Sequence, residues 1–514
     1  MHRVFYVAEL VELMVEAAVD RDTTYIQDHG HLAPLHPLPR ASFAAITSLA
    51  LTCKLFREPC LNAMWHTQIS LVPLFRSVGA VMEYEREYIL RRPLHEDYSA
   101  LLFYSSRIRV LDLTSRLWTK IFIDQPIIEK TLAGLHSRSL FPSLHTFRWG
   151  ADSESEHASE ATLTLRNSGG GIVDFESSAA NVLPAHCLQA LYTCCPNIQR
   201  LCMAIRVPAG DNFQRSLEPY WGELGSILCA KLELRNLRLV LGHDRLNELW
   251  HLITDLPRLE TLGISAFTVD RASSRISSPQ QTTCPLLKEI HVQTPTIHTA
   301  TLIFQRTMFP SLQTLSLTFD TSHISIENTY NANPVDFARA DYIRGDALRP
   351  LLRFGLTSFH LGGRWSWDLD DAILAEMAQA WPRISLLSLD TSRYWKEPRG
   401  ITLRGLESLL RQCPELEEFC AVIDSTPPAT ISPDVSPNGL MTRLDFGYSP
   451  IERDHIGAVA ELLFRWFPNI LLIETYNHDD LPGPEGAIVR EQDSEQRSRW
   501  FDVEDLVLKM ARGG

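Results

Sequence analysis

The chain has 514 residues, of which 45% are hydrophobic and 21% are charged, as in ordinary globular proteins. Its net charge of −14 argues against general nucleic-acid binding, because phosphate contacts need clustered lysine and arginine side chains. No apolar run approaches the roughly 20 residues that a membrane-spanning helix needs. The ten cysteines are scattered, which predicts free thiols and a reducing cytoplasmic or nuclear compartment.

The first predicted element is an amphipathic helix from Val4 to Val19, with Leu10, Leu13 and Met14 on one side. Glutamates interrupt its apolar run, which is untypical of a signal peptide. A loop rich in proline and histidine follows at about 21–41. A second apolar stretch, 43–65, then predicts further helix.

The second stretch carries a recognisable motif. Residues 49–57 read Leu-Ala-Leu-Thr-Cys-Lys-Leu-Phe-Arg, and Met64-Trp65 closes the segment. Together with Glu9-Leu10, this pattern resembles an F-box. The resemblance implies a three-helix module at 4–75 that binds a Skp-type adaptor, and through it a cullin–RING ubiquitin ligase.

The resemblance also implies roles for particular side chains. Six of them should fill either the core of the module or the groove of the adaptor: Leu10, Leu13, Leu51, Cys53, Phe56 and Trp65. The alternative is that these helices only cap the repeats that follow, since terminal repeats need such a cap.

After a predicted helical connector at 76–106, one pattern recurs. Its clearest copy, 309–317, reads Phe-Pro-Ser-Leu-Gln-Thr-Leu-Ser-Leu. We call the first apolar residue of each apolar-x-x-apolar-x-apolar core its marker. Six of the eleven intervals between markers are 25–29 residues long, which fits leucine-rich repeats of about 20–29 residues. The twelve markers are Ile108, Leu144, Ile198, Leu234, Leu259, Leu287, Leu312, Leu356, Ile384, Leu416, Met441 and Ile470.

Each copy predicts one strand and one helix. The apolar-x-apolar end has the period of a short strand, and segments such as 371–381 and 455–467 have apolar residues at helical spacing. Because such a unit cannot bury its own apolar face, neighbouring copies must stack. The fold class is therefore an α/β solenoid over 107–480, curved, with strands on the concave face and helices outside. It resembles the leucine-rich repeats of F-box proteins. Residues 481–514 form a tail or cap.

Two long intervals interrupt the pattern. Residues 150–186 are polar and include Ser-Gly-Gly-Gly at 168–171, and residues 319–350 are similar. We expect degenerate copies of the repeat or flexible insertions at both places, and insertions would either contribute specificity or be tolerated loops.

The turns after two predicted strands are rich in aromatic and basic residues. In a solenoid, equivalent turns lie side by side, and tryptophan, tyrosine and arginine dominate binding hot spots. The sequence therefore predicts a substrate-binding rim, with the alternative that these rings cover loop cores. The rim residues are Arg364, Trp365, Trp367, Arg393, Tyr394 and Trp395.

Catalytic signals are absent from the sequence. The histidines at 29, 31 and 36 lack the cysteine or carboxylate partners of a metal site, and the glycine run at 169–171 lacks the Gly-Lys-Ser/Thr of a phosphate loop. We expect no metal, no cofactor and no enzymatic activity. The favoured function is the substrate-recognition subunit of a Skp–cullin–F-box ubiquitin ligase. The rival is a leucine-rich-repeat scaffold without a ligase link, and an enzyme would require a site outside the repeats.

Overall fold

The structure is a computed structural model of the chain. It describes residues 11–15, 17, 40–77, 81–84, 87–90, 99–114, 121–122, 138–150, 158–177, 185–205, 224–228, 231, 233–241, 246–266, 282–294, 297–319, 343–363, 367–391, 400–427, 435–447, 449–474 and 486–513. The chain divides into two compact units, Met1–Val240 with His251–Arg258 and Leu241–Trp250 with Leu259–Gly514.

The first unit contains six sheet strands that follow one another in chain order. The pairings from β1 through β5 are parallel, which is the arrangement that a strand–helix repeat requires. The strands are β1 (Thr67–Gln68), β2 (Val110–Leu113), β3 (Thr146–Trp149), β4 (Asp174–Ser177), β5 (Arg200–Ile205) and β6 (Asn236–Leu241).

The second unit contains eight parallel strands in the same simple order. They are β7 (Thr261–Ala266), β8 (Glu289–Gln293), β9 (Thr314–Phe319), β10 (Ser358–Gly363), β11 (Leu386–Leu389), β12 (Glu418–Ala421), β13 (Arg443–Asp445) and β14 (Leu472–Glu474).

Helices alternate with these strands. They are α1 (Arg40–Thr52), α2 (Lys54–His66), α3 (Val72–Arg76), α4 (Ser99–Ser105), α5 (Ala158–Arg166), α6 (Ala185–Cys194), α7 (Leu246–Thr254), α8 (Ile297–Arg306), α9 (Asp371–Ala380), α10 (Leu403–Gln412), α11 (Ile456–Trp466) and α12 (Gly486–Gly513). Residues 11–15 are also helical. Among the described helices, none combines the length and the apolar character that a membrane crossing needs.

The predicted repeat is confirmed in both units. All twelve markers are buried, and a sheet strand begins two residues after each of them. The residue after the marker links neighbouring repeats through its carbonyl. For example, the Lys288 carbonyl accepts hydrogen bonds from the amides of Gln313 (2.9 Å) and Thr314 (3.0 Å). The Gln313 carbonyl then accepts from Thr357 (2.9 Å) and Ser358 (3.0 Å).

Of the two alternatives for 150–186, the described residues 158–177 show a degenerate copy, the thirteenth, and not a flexible insertion. Ile172 is a buried marker, and it divides the long interval between Leu144 and Ile198 into two of ordinary length. The glycines form the turn before β4: Gly169 and Gly170 have φ of 62° and 78°, values that side chains rarely tolerate. The copy lacks the proline and has Ser177 in place of the last apolar residue, which hid it from the pattern. For the other long interval, residues 320–342 lie outside the described part.

The segment predicted as a helical connector is only partly helical. Helix α4 lies in it, but Val81–Tyr84 and Glu87–Leu90 form an antiparallel pair of strands. These two segments are rich in aromatic and branched side chains, which favour strands over helices.

The C-terminal segment contains α12, which covers the core of the last repeats. The Trp500 ring packs on Phe446 with centroids 4.8 Å apart, and its Nε1 donates a hydrogen bond to the Ser449 carbonyl at 2.8 Å. Val503 and Val507 are buried as well. The helix therefore keeps water from the apolar side of the terminal repeat, where no further repeat stacks.

Candidate interaction surfaces

The N-terminal helices pack around a small core of their own. Val15, Ile46 and Cys60 are buried at its centre. Phe56 and Met64 are among the partly buried side chains that pack against them. Residues 11–15, α1 and α2 thus form a helical module with a filled interior.

This module leaves large apolar side chains in solvent. We call this set the module surface: Leu13, Met14, Phe43, Leu51 and Leu55. Leu51 is 83% exposed and Leu13 is 59% exposed. The core next to them is already complete, so the fold gives no internal reason for apolar residues at these positions. Exposed apolar groups of this kind mark binding surfaces in folded proteins.

The structure separates the six predicted adaptor residues into different environments. Leu13, Leu51 and Cys53 are exposed, and Cys53 is the extended residue between α1 and α2. Phe56 packs against the module core. Leu10 lies outside the described residues. The structure also adds Phe43 to the exposed set, and its position four residues before Thr47 and eight before Leu51 is the helical spacing that could have revealed it.

The sixth residue, Trp65, lies where the module joins the first repeats. Its ring stacks on Tyr104 with centroids 4.7 Å apart. On the same junction, the Arg107 guanidinium lies 2.6 Å from the Glu58 carboxylate and 4.4 Å from the centroid of the Phe103 ring. Helix α2 runs into β1 without a linker, and β1 pairs with β2. The module is thereby fixed to the sheet of the first unit.

The sheet of the second unit has one face with polar side chains, and on it one residue of each strand from β8 to β14 forms a continuous row. The register places these residues side by side: His291, Ser316, His360, Ser388, Cys420, Asp445 and Glu474. His291 and His360 are exposed. His360 Nδ1 lies 3.0 Å from Ser388 Oγ, within hydrogen-bonding distance. Burial raises the pKa of Cys420 to about 12, so this thiol is protonated and is a poor nucleophile at neutral pH.

The equivalent row of the first unit is charged and buried. Arg148 lies between Asp112 and Glu176, with nitrogen–oxygen distances of 3.7 and 3.5 Å. All three are at least nine-tenths buried. Arg148 Nε and Glu176 Oε2 make no hydrogen bond. Burial raises the pKa of Glu176, and the nearby Arg148 and Arg200 guanidinium groups oppose the shift.

The predicted substrate rim needs one correction. Trp367 is fully buried, and its Nε1 donates a hydrogen bond to Asp390 Oδ2 at 2.7 Å. Trp367 and Asp368 form a short parallel pair with Ile343 and Arg344, which places this ring in the core and not on an accessible rim. The other five rim residues, at 364, 365 and 393–395, lie outside the described residues, and their role stays a prediction.

Metal binding finds no support in the described part of the chain. No group of three or more histidine, cysteine, aspartate or glutamate side chains within it is placed to hold an ion. The histidines at 29, 31 and 36 lie outside the described residues.

The repeats define the class of this protein, which has a leucine-rich-repeat fold. No protein-family model matches the chain, and no curated protein matches it. Among solved structures, it resembles a Bacteroides fragilis protein at 11% identity, over 68% of this chain and 69% of that one, with a TM-score of 0.26. The yeast Rad7 and Elc1 complex contains a match at 13% identity, over 86% and 94%, with a TM-score of 0.33. The leucine-rich repeat-containing protein LegL7 of Legionella pneumophila matches at 12% identity, over 72% and 94%, with a TM-score of 0.29.

Proposed function

We propose that the chain is the substrate-recognition subunit of a Skp–cullin–F-box ubiquitin ligase. In this proposal the N-terminal module binds a Skp-type adaptor, and the repeats bind a protein substrate. The observation that carries the proposal is the module surface: a helical module with a filled core that still exposes Leu13, Leu51 and Leu55.

The energetics favour a partner on this surface. Burying one leucine or phenylalanine side chain is worth about 1.5–3 kcal/mol, so covering several of them supplies much of the free energy of a stable interface. In the free module these side chains are a liability for solubility. A constitutive partner such as an adaptor subunit removes that cost.

The mechanism requires no chemistry from the chain itself. A recognition subunit holds its substrate close to a ubiquitin-charged conjugating enzyme and thereby raises the effective concentration of the substrate lysine. A rigid connection between adaptor and substrate favours this positioning. The direct passage of α2 into β1 and the stacking of Trp65 on Tyr104 provide such a connection.

The cysteine thiols support a location of this ligase subunit in the cytoplasm or nucleus. The nine described cysteines form no disulfide bond with one another, as expected for a protein of the reducing cytoplasm or nucleus. Several lie in the repeat core, including Cys195 and Cys413, where burial raises the pKa of each thiol to about 11. They serve as small apolar side chains.

The test is co-purification of the full-length chain with a recombinant Skp-type adaptor. The informative variant is Leu51→Glu with Leu55→Glu, which places two charges on the module surface and leaves the core residues Ile46 and Cys60 intact. The matched control is Leu440→Glu, the same change at an exposed leucine of the second unit. We expect capture by the wild type and the control, and loss of capture by the double variant.

Two results would contradict the proposal. One is absence of capture by the folded wild-type chain, which would favour a repeat scaffold without a ligase link. The other is equal capture by the double variant and the wild type. Circular dichroism of each variant separates a lost interface from a lost fold.

A further inference from the structure

The last repeat has exposed leucine side chains at both positions that follow its marker. In eleven of the twelve predicted copies the residue after the marker is polar or charged, and in the copy around Ile172 it is Val173. In the last copy this residue is Leu471, which is 73% exposed, and the next residue, Leu472, is 40% exposed. The backbone of Leu471 keeps the standard link, its amide donating to the Thr442 carbonyl at 3.1 Å. The leucine side chains are therefore not needed to build the repeat.

Carboxylates surround these two leucines. The register places Leu472 beside Arg443, and Arg443 beside Glu418. Arg443 Nε donates to Glu474 Oε2 at 2.8 Å, and Nη1 lies 3.4 Å from Glu418 Oε2. One guanidinium thus faces two carboxylates.

Two further carboxylates, those of Glu417 and Asp445, belong to the same region. Glu417 is exposed and precedes Glu418 in the chain, and Asp445 lies between Cys420 and Glu474 in the register. Adjacent strands are about 4.8 Å apart, so the set spans three strands in about 10 Å. We call it the terminal patch: Glu417, Glu418, Arg443, Asp445, Leu471, Leu472 and Glu474. It combines exposed leucine side chains with four carboxylates and one cation.

We propose that the terminal patch docks a basic, leucine-containing segment of a partner protein. The leucine side chains of the partner would cover Leu471 and Leu472, and its lysine or arginine side chains would pair with Glu417, Glu418 and Asp445. The identity of that partner as a ligase substrate rests on the proposed function. The patch itself is a feature of the second unit.

The carboxylates and the exposed leucines of the terminal patch favour a basic, leucine-containing segment over other partners. An acidic segment would meet four carboxylates against one guanidinium that already faces two of them, and like charges at an interface are strongly unfavourable. A purely polar segment would leave both leucines in water. Addition of a partner strand at the edge of β14 is disfavoured, because the Ile473 amide already donates to Glu504 Oε1 of α12 at 3.4 Å. Recognition therefore acts through side chains on the sheet face.

The test measures fluorescence anisotropy of a labelled synthetic peptide in which leucine pairs alternate with lysine pairs, using the full-length chain. Two control peptides replace the lysines by glutamate or the leucines by serine. We expect Leu471→Glu to weaken binding at least about ten-fold, the equivalent of the burial energy of one leucine. We expect Glu417→Gln with Glu418→Gln to weaken it about three- to ten-fold at low salt, with the difference shrinking at high salt as charges are screened.

Two matched variants complete the design. Leu286→Glu and Glu452→Gln make the same chemical changes at exposed positions of the second unit outside the patch. Binding that both controls retain, and that both patch variants weaken, supports the proposal. Equal affinity of the patch variants and the wild type overturns it, as does absence of binding by the lysine peptide. Self-association of the chain that Leu471→Glu abolishes would also overturn it, because the occupant would then be a second copy.

The outcome is separable from that of the ligase proposal. The patch variants should still capture the adaptor, and the Leu51→Glu, Leu55→Glu variant should still bind the peptide. Peptide binding without any adaptor capture would remove the ligase role and retain the docking surface.

Discussion

The polar rows of the two units differ in charge and in exposure. In the first unit, Asp112, Arg148 and Glu176 occupy adjacent strands and are buried. In the second unit, Ser316, His360 and Ser388 occupy equivalent positions, and His360 is exposed. The same backbone repeat therefore carries a buried ion network in one place and an exposed histidine between two serines in another. The repeat constrains the apolar positions and leaves the alternate positions free to diverge.

The largest effect on stability is expected from truncating a core phenylalanine in each unit. The two substitutions test whether the repeat cores of both units contribute equally to stability. Phe175 and Phe359 hold the same position, three residues after their markers, and both are fully buried. We expect Phe175→Ala and Phe359→Ala each to reduce the free energy of unfolding by about 3–5 kcal/mol. Urea denaturation followed by circular dichroism measures this loss. A cost below about 1 kcal/mol for Phe175→Ala would show that the copy around β4 is peripheral.

A similar loss is expected when the buried ion network is broken. Arg148→Met leaves Asp112 and Glu176 buried without their cation, which costs about 3–5 kcal/mol in comparable cases. The matched control is Arg258→Met, since Arg258 pairs with Glu233 at the surface of the first unit and such pairs contribute only about 0–1 kcal/mol. Equal unfolding midpoints for the two variants would contradict the assignment of Arg148 as a buried structural cation.

A smaller effect is the contribution of Glu176 to the pH dependence of the free energy of unfolding. Burial raises the pKa of Glu176 above its ordinary value of 4.5, against the opposing effect of Arg148 and Arg200. Between 4.5 and the raised pKa the folded chain binds more protons than the unfolded chain, so Glu176 makes stability fall as pH rises through this window. Glu176→Gln removes this contribution. The wild type should therefore lose stability relative to the variant as the pH rises from 4.5 to neutral.

The comparison of unfolding midpoints at each pH cancels the contributions of titratable groups that behave alike in the two proteins. A difference between wild type and variant that stays constant over this range, or that grows in favour of the wild type, would contradict the prediction.

The smallest effect on stability is expected at Ser388, in the polar row of the second unit. Ser388→Ala removes the hydroxyl that lies 3.0 Å from His360 Nδ1, and a single hydrogen bond of this type contributes about 0.5–1.5 kcal/mol. We expect a shift in the urea midpoint of the second unit at the lower end of that range. A loss as large as that of Arg148→Met would remove the contrast between the two rows.

The repeat could be predicted from the sequence because its information is local. Each marker and its strand, with a preceding proline in eight of the twelve copies, lie within nine residues, so the pattern predicted the start of twelve strands. The copy around Ile172 was missed because it lacks both the proline and, with Ser177, the last apolar side chain of the pattern. Its glycines, which were taken for a sign of flexibility, instead provide the positive φ angles of a tight turn.

The candidate surfaces were less predictable because burial depends on distant residues. Trp367 and Leu51 are both large and apolar, yet one is fully buried and the other is 83% exposed. Asp390, which receives the Trp367 hydrogen bond, belongs to the following repeat, and a local pattern cannot show that a ring will meet it. The interpretation of Trp367 as a rim residue followed from its residue type and its place in the turn after a predicted strand.

By itself, the sequence determined the strand–helix period, the buried markers and an apolar N-terminal segment with an F-box-like pattern, because each depends on the spacing of neighbouring side chains. The tertiary structure decided which apolar side chains remain in solvent, including Leu13 and Leu471, and which charges are enclosed, as at Arg148. Those outcomes depend on residues from separate repeats that only the stacked backbone brings within contact distance. The division between core and surface is therefore collective, and a local pattern does not contain it.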